Sequence, residues 1–569
     1  FEYNYGGPGV CGSLLIDPRM CRIVGMHVAG FGKDESARGV SELLCFEMFE
    51  KFLDTQLCDV SYDVPNRIDP PTDIDISGNF NFICRVKTPQ LNTITDYIPS
   101  EVVGILSPPK RFPAIMVYEN EPKPGYDCLS AAMSKQLTSP IVPFRAEHIS
   151  LVKDKIVNML VSKCIPVVDV VRKRTLEEGV CGVVGQEYMC PLKRDTSTGF
   201  PLNVMGLNTK SDVFEYEETL DGLKLKSIHP EFMKIHEHFT QLRKDKIRPP
   251  SVFYEFLKDE CLDPSKLNKV GGTRCIDGSP LELSVVHRQY TMDFAAAFMS
   301  SRANLNHGVG MNVYSLEWNE LANRLLNNSA CIVDADYSGF GPGLCQNLIV
   351  HVYDCMNAWY EKHCGELVDR NEWDMIVAEH INRFCVVGDA CIQTVKGMAS
   401  GNTLTAIVNS LVNMFYIMCV YLEICEKYGL DLTLNDFDDY VYFCVYGDDF
   451  IMSIEPSLVE FFNGKTMSVA FANHGIKLTP ASKSSSFGDF LCIEESSFLK
   501  HSFVRNNDRN IYTAGLDKGV IEDIPNWIRY KTPDTSAQIR TLLRDVQRIA
   551  YWWGREYFES VTGRIRDFL

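Results

Sequence analysis

The chain has 569 residues, of which 45% are hydrophobic and 23% are charged. This length exceeds what one compact core usually supports, so we expect more than one domain or subdomain. The composition is that of a folded globular protein and excludes a disordered, low-complexity chain. The net charge of −18 argues on its own against a nucleic-acid partner, because phosphate backbones attract basic surfaces.

A basic stretch between Gln241 and Arg274 weakens that argument. It carries eight Lys or Arg residues against five acids, so a basic channel can lie inside an acidic shell. The 21 cysteines of the whole chain include no CxxC pair. That pattern is typical of reduced thiols in a cytosolic protein rather than of a disulfide framework or a zinc site.

The N-terminal part of the chain predicts strands followed by a helix and a linker. Strand-like runs, GVCGSLLID and CRIVGMHVAG, lie on either side of a short turn at Pro18 and Arg19. Residues from about Ser41 to Leu57 have the apolar spacing of a helix. The Pro- and Asp-rich segment from Asp63 to Ser77 predicts a linker, where we place the main boundary of the chain. After it we expect a mixture of helices and strands, with helices from about Ile521 to the end.

An acidic pair follows a predicted strand in CIVDADYSGFGPGL. The apolar run from Cys331 to Val333 predicts a buried strand that ends at Asp336, and Asp334 shares one face of it. Phosphoryl transfer to a nucleotide uses a pair of divalent ions about 3.5–4 Å apart, and Mg²⁺ prefers carboxylate oxygens. The pair is therefore a candidate part of a metal site, with a solvated acidic strand end as the alternative.

The segment GMASGNTLTAIVNSLVN combines a flexible loop with a helix. Ser400 and Gly401 offer backbone N–H groups and little bulk, which suits close approach to a nucleic-acid backbone. Thr405 and Asn409 are four residues apart and therefore share one face of the helix. These two side chains are candidates for contacting a sugar hydroxyl.

The most apolar stretch of the chain runs from Thr405 to Cys425. It contains Asn409, Asn413 and Glu423, which a lipid-facing helix of about 20 residues tolerates poorly. We therefore predict a helix buried in a protein core, and we expect no transmembrane segment.

The strongest local pattern is YVYFCVYGDDFIMSI, residues 440–454. Two β-rich runs flank Gly447, Asp448 and Asp449, which predicts a hairpin with two adjacent carboxylates at its tip. Alone, this motif is equally compatible with an ordinary surface turn. Combined with Asp336 and the Gly-Ser loop, it predicts a site for metal-dependent phosphoryl transfer.

These motifs, in this order, resemble palm motifs A (Asp336), B (Ser400 and Gly401) and C (the GDD of residues 447–449) of RNA-dependent RNA polymerases from picorna-like positive-strand RNA viruses. The resemblance implies an α+β right-hand polymerase, with fingers, palm and thumb, that copies RNA from NTPs with Mg²⁺, or Mn²⁺ as an alternative. The FGPG sequence that continues motif A is most similar to the insect iflaviruses.

Further segments resemble other motifs of the same family. FLKDE with Lys258 and GGTRCIDG with Arg274 resemble motif F, whose cations bind the incoming triphosphate. LTPASKS with Lys483 resembles motif D, whose lysine gives a proton to the leaving pyrophosphate. DTSTGFP and SFLKHSF resemble the template-guiding loop of motif G and the primer grip of motif E. The template and primer residues implied in this way are Thr198, Gly199, Phe200, Pro201, Phe498, Leu499 and Lys500.

The resemblance also assigns roles within the palm. Asp336, Asp448 and Asp449 are the implied catalytic metal ligands. The implied nucleotide-binding residues are Lys258, Arg274, Ser400, Gly401, Thr405 and Asn409.

One palm position departs from the family. The family commonly has a second Asp five residues after the first in motif A, where it senses the ribose 2′-hydroxyl, and this position is Gly341 here. We expect Asn409 to carry the discrimination between RNA and DNA substrates, with Thr405 or a water as alternatives.

The first residues resemble a different enzyme. GGPGVCGSLL followed by GMHVAG resembles the chymotrypsin-like cysteine proteases encoded upstream of such polymerases, with Cys11 as nucleophile and His27 lining the S1 pocket. In that fold the base and its acid precede the nucleophile, and the ten residues before Cys11 contain no histidine. We expect a C-terminal fragment of the double barrel that is inactive alone.

The expected domains are the protease fragment (1–45), a helix and linker with a processing site (46–80), fingers (81–287 with 374–396), palm (288–503) and thumb (504–569). Expected partners are an RNA template and primer, NTPs, a genome-linked protein primer and other viral replication proteins, at membrane-associated replication complexes in the host cytoplasm. Two alternatives are a reverse transcriptase, because a YxDD hairpin also occurs there, and a protease–polymerase precursor that acts as an RNA-binding scaffold.

Overall fold

The computed structural model describes most of the chain after residue 79. Side chains and backbone are described for residues 80–86, 94–117, 128–133, 142–220, 222–267, 269–364, 369–482, 486–488, 490–530 and 534–568, and the backbone alone for residues 2–3, 14–17, 22–31, 38–42 and 134–137. The predicted linker lies outside these residues, as does most of the predicted helix before it.

Four short strands, β1 (Glu2–Tyr3), β2 (Leu14–Asp17), β3 (Arg22–Phe31) and β4 (Arg38–Glu42), form an antiparallel sheet in the order β1-β4-β3-β2. The strand predictions on either side of the turn at Pro18 are confirmed by β2 and β3. The helix predicted from Ser41 is wrong for its first two residues, because β4 extends to Glu42 and pairs with β3.

The remaining strands lie after residue 79. They are β5 (Phe80–Arg85), β6 (Tyr97–Pro99), β7 (Phe112–Pro113), β8 (Phe214–Thr219), β9 (Gly222–Ile228), β10 (Val252–Leu257), β11 (Cys261–Leu262), β12 (Cys275–Gly278), β13 (Ile332–Tyr337), β14 (Phe384–Val387), β15 (Ala390–Thr394), β16 (Val441–Tyr446), β17 (Asp449–Ile454), β18 (Leu478–Pro480), β19 (Ser497–Phe498), β20 (His501–Asn506), β21 (Ile511–Leu516) and β22 (Trp527–Arg529).

The helices alternate with these strands. They are α1 (Cys128–Leu137), α2 (Ala146–Lys163), α3 (Leu176–Cys181), α4 (Lys210–Val213), α5 (Pro230–Lys244), α6 (Pro264–Leu267), α7 (Leu281–Ser300), α8 (Leu316–Asn328), α9 (Phe340–Gly343), α10 (Gln346–His363), α11 (Arg370–His380), α12 (Thr405–Tyr428), α13 (Phe437–Tyr440), α14 (Gly464–Asn473), α15 (Lys518–Asp523), α16 (Thr535–Ala550) and α17 (Arg555–Phe568).

Two sheets organise the part of the chain that carries the motifs. One has the order β16-β17-β13-β18 and is antiparallel throughout. Helices α12 and α14 pack against it, because β16 and β17 are apolar on both faces and must be covered. The other sheet, β12-β10-β14-β15-β5, joins strands from the predicted fingers with β14 and β15 from the 374–396 insertion. The domain boundaries themselves stay a prediction.

Helix α12 is the apolar stretch singled out in the sequence. Among the described residues, α12 is the one helix that is both long enough and apolar enough to cross a bilayer. Within its most apolar 18 residues, 83% are buried inside the protein. The predicted burial of this helix in the core is therefore confirmed. The described cysteines are likewise free thiols, mostly buried, as the absence of paired motifs predicted.

The segment of residues 94–117, which we call the fingertip segment, connects two distant parts of the chain. Its strand β6 pairs with β22, with Ile98 opposite Ile528, and its apolar residues share a core with α16 and α17. At its start, Thr95 Oγ1 and the Asp96 N–H donate to the carboxylate of Asp259 at 2.8 and 2.9 Å. The predicted fingers and thumb are thereby joined by hydrogen bonds and by a common core.

A buried ion-pair network lies where α5, α7 and α11 meet. The guanidinium of Arg243, fully buried, donates to Glu282 at 2.8 and 2.7 Å and to Glu379 at 2.6 and 2.9 Å. Each carboxylate is also buried. Removal of the shared cation would leave two buried acids without a counter-charge, which is far more costly than the loss of an exposed pair.

We predict that Arg243→Met lowers the free energy of unfolding by about 3–5 kcal/mol, measured by urea denaturation followed by circular dichroism. The matched control is Arg145→Met, which removes an arginine that binds Glu147 and Glu426 on the surface and should change the urea midpoint little. Equal shifts in the two variants would show that the buried network does not contribute more than a surface pair.

Candidate active site

Two strand ends bring the candidate metal ligands together at one end of the palm sheet. β13 pairs with β17 so that Ala335 lies opposite Phe450, which places Asp336 beside the turn that carries Asp448. β16 and β17 form an antiparallel hairpin with Tyr446 opposite Asp449. The predicted hairpin with carboxylates at its tip is therefore confirmed, and the acids of motifs A and C lie at the same end of the sheet.

The electrostatics of these acids show how close they are. Desolvation in the cleft raises the pKa of Asp448, and the charge of Asp336 raises it further, while Arg274 and Lys500 act in the opposite direction. Burial raises the pKa of Asp449 to about 7, although a hydrogen bond from the Leu499 N–H opposes this. Binding of a divalent cation would reduce the repulsion within such a group of carboxylates. The residues present therefore fit a divalent cation.

The tip of the hairpin is fixed to helix α12 by two buried side chains. The Gly447 N–H donates to Ser410 Oγ at 2.7 Å, and Asn413 Nδ2 donates to the Gly447 carbonyl at 3.0 Å. Asn413 Oδ1 also accepts from the Tyr337 hydroxyl of β13 at 3.0 Å. Motifs A and C are thus held by the same asparagine. This role of Ser410 and Asn413 was not predicted. The sequence signal that could have indicated it is the presence of two polar residues inside the most apolar helix of the chain.

The motif E hairpin binds two of the acids from the other side. The Ser497 N–H donates to Asp334 at 2.8 Å, and the Leu499 N–H donates to Asp449 at 2.7 Å. Leu499 and Lys500 form the turn, with φ of 53° and 62°. Asp334, which is buried, is thus a structural acid that docks this hairpin. Asp336 lies close enough to Asp448 for its charge to raise the pKa of Asp448.

Phe498 in this hairpin is buried and stacks on Trp318, with ring centroids 6.4 Å apart. It therefore anchors the turn, while Leu499 and Lys500 occupy its tip. Contact of these residues with a primer stays a prediction.

The motif B loop is held by its own hydrogen bonds. Thr405 Oγ1 lies 2.8 Å from the carbonyl oxygens of both Ala399 and Asn402, so this hydroxyl closes the loop at the start of α12. Asn409, one turn further on, lies beside the GDD tip, because a Cβ added to Gly447 would lie 4.0 Å from Asn409 Cβ. Its Oδ1 is buried and has no hydrogen-bond partner among the described residues. Asn409 therefore retains acceptor capacity beside the acids.

The motif F cations face the same cleft. Arg274 donates to the two oxygens of Glu260 at 2.7 and 2.5 Å, and Lys258 Nζ lies 3.8 Å from one of them. Glu260 raises the pKa of Arg274, and the charge of Asp448 also raises it. The side chain of Arg274 is 61% exposed and lies close enough to Asp448 for the two charges to interact.

The motif G residues are buried in the fingers. Thr198 and Phe200 are 0% and 4% exposed, and Phe200 packs in the core between Val252 and Phe384. Gly199 has a φ of +70°, and the turn continues into Pro201. These side chains anchor the loop, and its contact with a template stays a prediction.

Three further predicted residues lie where side chains are not described. Lys483 of motif D and Cys11 of the protease-like segment fall outside the described residues. His27 lies on β3, with its backbone opposite Ser41 of β4. Their assigned roles stay predictions.

Comparison with known proteins agrees with this arrangement. Residues 133–569 match the family model of viral RNA-dependent RNA polymerases. The chain is 30% identical to the genome polyprotein of deformed wing virus, over all of this chain and 20% of the polyprotein. It is 26% identical to the replicase polyprotein of Drosophila C virus, over 99% of this chain and 33% of that protein. The chain thus spans about a fifth to a third of these relatives.

A solved structure shows the fold. The Sicinivirus 3Dpol RNA-dependent RNA polymerase superposes with a TM-score of 0.68 at 18% identity, over 86% of this chain and 94% of that one. The fold and site define a right-hand α+β polymerase. The chain belongs to the family of viral RNA-dependent RNA polymerases, in which use of divalent metal ions is general. The finer placement among iflaviruses stays a prediction, as does the protease-like origin of the first residues.

We predict that Ser410→Ala lowers kcat for nucleotide incorporation by about tenfold or more, because a buried Gly447 N–H without its acceptor costs about 1–3 kcal/mol and loosens the GDD tip. The measurement is single-nucleotide primer extension. Ser162→Ala is the matched control, since Ser162 also donates to the carbonyl four residues before it, but on an exposed helix. An unchanged kcat in Ser410→Ala would contradict the role of this hydrogen bond.

Proposed function

We propose that this chain copies an RNA template into RNA from nucleoside triphosphates. The observation that carries the proposal is the meeting of Asp336 and Asp448 at one end of the palm sheet, with the motif F cation Arg274 close enough to perturb Asp448. Carboxylates for metal ions and a cation for phosphates are the groups that nucleotidyl transfer needs at one place. Family membership supports the same reaction.

Asp336 and Asp448 would hold Mg²⁺, with Asp449 beside them. When bound, Mg²⁺ would activate the 3′-hydroxyl of the primer and stabilise the charge on the leaving pyrophosphate. Asp449 accepts a hydrogen bond from Leu499, so its role is to join the GDD turn to the motif E hairpin as well as to contribute charge.

The cations of the cleft would bind the triphosphate. Arg274 and Lys258 both contact Glu260, and an incoming triphosphate offers them more negative charge than this one carboxylate. Lys483 is the proposed proton donor to pyrophosphate by family resemblance. Catalysis is then mainly positioning and electrostatic stabilisation by groups already in place.

Asn409 is the proposed sensor of the ribose 2′-hydroxyl. Gly341 provides no side chain, and a Cβ added there would meet no atom within 4 Å, so the usual acidic sensor is replaced by open space. The Asn409 Oδ1, buried without a partner, is an acceptor that a hydroxyl group can satisfy.

The wider context is proposed from the polyprotein relatives. Alignment of the whole chain with a genome polyprotein is compatible with a multidomain precursor. The origin of residues 1–45 in the upstream protease, and their separation from the polymerase by processing, are proposed from the family resemblance. Priming by a small genome-linked protein, and work with other viral proteins at membrane-associated complexes in the host cytoplasm, follow from the family resemblance.

We predict that Asp448→Asn abolishes poly(U) synthesis on an oligo(U)-primed poly(A) template with Mg²⁺, because the neutral amide cannot replace the charged metal ligand. Asp508→Asn, on the exposed turn between β20 and β21, is the control and should keep full activity. Matching circular dichroism spectra would exclude unfolding. Synthesis retained by Asp448→Asn would contradict the assignment of Asp448 as a metal ligand. No synthesis by the folded, unsubstituted chain would favour the RNA-binding scaffold, and incorporation of dNTPs in preference to NTPs would favour a reverse transcriptase.

We predict that Asn409→Ala reduces the preference for UTP over dTTP by about tenfold, the effect of losing roughly one hydrogen bond. The measurement is the ratio of kcat/KM for the two nucleotides on the same primed template. Asn357→Ala, at a half-buried position of α10 whose side chain binds only Glu361 in the described contacts, should leave the ratio unchanged. An unaltered ratio in Asn409→Ala would assign the discrimination elsewhere.

A further inference from the structure

Asp277 makes a close set of hydrogen bonds to the motif B loop. It lies on β12 and is 4% exposed. Its Oδ2 accepts from the Ser400 N–H at 2.9 Å and from the Ser400 hydroxyl at 3.1 Å. Its own N–H donates to Ser400 Oγ at 2.9 Å. One buried aspartate thus forms hydrogen bonds with both the backbone N–H and the side-chain hydroxyl of Ser400, an exposed loop residue proposed to bind the nucleotide.

The loop also packs on the backbone that follows Asp277. A Cβ added to Gly401 would lie 2.0 Å from the Asp277 carbonyl oxygen, so no larger residue fits without moving the loop or β12. The loop and the strand end are therefore in direct backbone contact, in addition to their hydrogen bonds.

The template loop of motif G rests on the same turn. A Cβ added to Gly199 would lie 2.5 Å from the Ser279 carbonyl oxygen, and the Leu281 N–H donates to the Thr198 carbonyl at 2.8 Å. Residues 277–281 therefore contact both the loop assigned to the template and the loop assigned to the nucleotide.

The charge of Asp277 is balanced within the fingers. Arg383 donates to Asp277 Oδ1 at 3.1 and 2.8 Å, and it also donates to the Gly397 carbonyl at 3.2 Å, at the start of the motif B loop. Burial raises the pKa of the neighbouring Glu255 well above its usual range, and Asp277 raises it further.

A metal ion is the alternative explanation for this cluster. Ligand atoms of Glu255, Asp277 and Cys385 lie within 4.8 Å of one another. The guanidinium of Arg383 already binds Asp277 through two nitrogens, at 3.1 and 2.8 Å, and supplies its counter-charge. A divalent cation would have to displace the arginine, so the cluster is complete without one.

We propose that Asp277 is a positioning residue that holds the Ser400–Gly401 loop in the conformation that binds the nucleotide. The inference rests on the proposed function of the site. It adds a residue that touches neither metal nor substrate and acts through Ser400. Arg383 binds both Asp277 and the Gly397 carbonyl. The loop is therefore fixed to the fingers sheet at Gly397, through Arg383, and at Ser400, through Asp277.

The test compares Asp277→Asn with Asp293→Asn. Asp293 is an equally buried aspartate of α7 that accepts from the guanidinium of Arg174 at 2.5 and 3.0 Å and from the Arg172 N–H at 3.1 Å, but it does not contact the motif B loop in the described contacts. Both variants remove the charge of a buried Arg–Asp pair. A general loss of stability would therefore affect both, whereas a loop effect would affect Asp277→Asn alone.

The first readout is hydrogen–deuterium exchange of the nucleotide-free protein, in peptides that cover residues 398–404. We expect faster exchange there in Asp277→Asn, because the Ser400 N–H loses its charged acceptor, and no change in Asp293→Asn. Exchange in this loop equal to that of the unsubstituted chain would overturn the proposal. This readout needs no activity, so it is independent of whether the chain synthesises RNA.

The second readout is the steady-state incorporation of UTP. We expect Asp277→Asn to raise KM for UTP by about tenfold with a smaller change in kcat, as for the loss of one hydrogen bond to a charged group. Asp293→Asn should leave KM unchanged. An equal rise of KM in both variants would show that Asp277 contributes only to the stability of the fingers.

A second pair of variants applies if Asp277→Asn does not fold. Ser400→Ala removes the hydroxyl that donates to Asp277 and accepts from it, at an exposed position that should not affect folding. Ser400→Thr keeps a hydroxyl. We expect faster exchange of the loop in Ser400→Ala and its restoration in Ser400→Thr. The same slow exchange in all three chains would overturn the proposal.

Discussion

Four carboxylates of like charge must be held together at one end of the palm sheet, and the surrounding elements are arranged to meet this constraint. The acids are Asp334, Asp336, Asp448 and Asp449. Two of them, Asp334 and Asp449, accept N–H groups of the motif E hairpin, and the other two, Asp336 and Asp448, are the proposed metal ligands. The turn that carries Asp448 and Asp449 cannot move freely, because the N–H and the carbonyl of Gly447 are both hydrogen-bonded to α12. The repulsion is thus opposed by buried hydrogen bonds before any cation binds.

The elements that carry these acids could be predicted from sequence, because their signals are local. Alternation of apolar residues around a turn sequence predicted the hairpin of Asp448, and an apolar run predicted β13. The contacts that position them could not be predicted. Ser410 lies 37 residues from Gly447 and Asp277 lies 123 residues from Ser400, and nothing in the local pattern of one residue indicates its partner. Ser41 and Glu42 were misassigned for a related reason, because pairing with β3 overrides their helical spacing.

The net charge of −18 was a poor predictor of whether the site binds nucleic acid or nucleotides, because many of the charges are buried in ion pairs. Arg243 is surrounded by two glutamates, Arg383 binds Asp277, and Arg174 binds Asp293. These arginines neutralise acids in the interior and contribute little field outside. The cations that matter for phosphate binding are the few that remain accessible in the cleft, Arg274 among them. A strongly acidic total is therefore compatible with a locally basic entry for a triphosphate.

The fingertip segment links the predicted fingers to the predicted thumb. The segment is joined to the thumb by hydrogen bonds from the N–H groups of Ser100, Gly104 and Lys110 and by one from the indole of Trp527. The start of the segment is hydrogen-bonded to Asp259, next to Lys258. A polymer that passed behind this link could not be placed there sideways without breaking a strand pairing and an apolar core. Under the proposed function, a strand of RNA would be threaded end first and would leave by sliding. Topology, rather than affinity for any one phosphate, would then keep the enzyme on its template over many cycles.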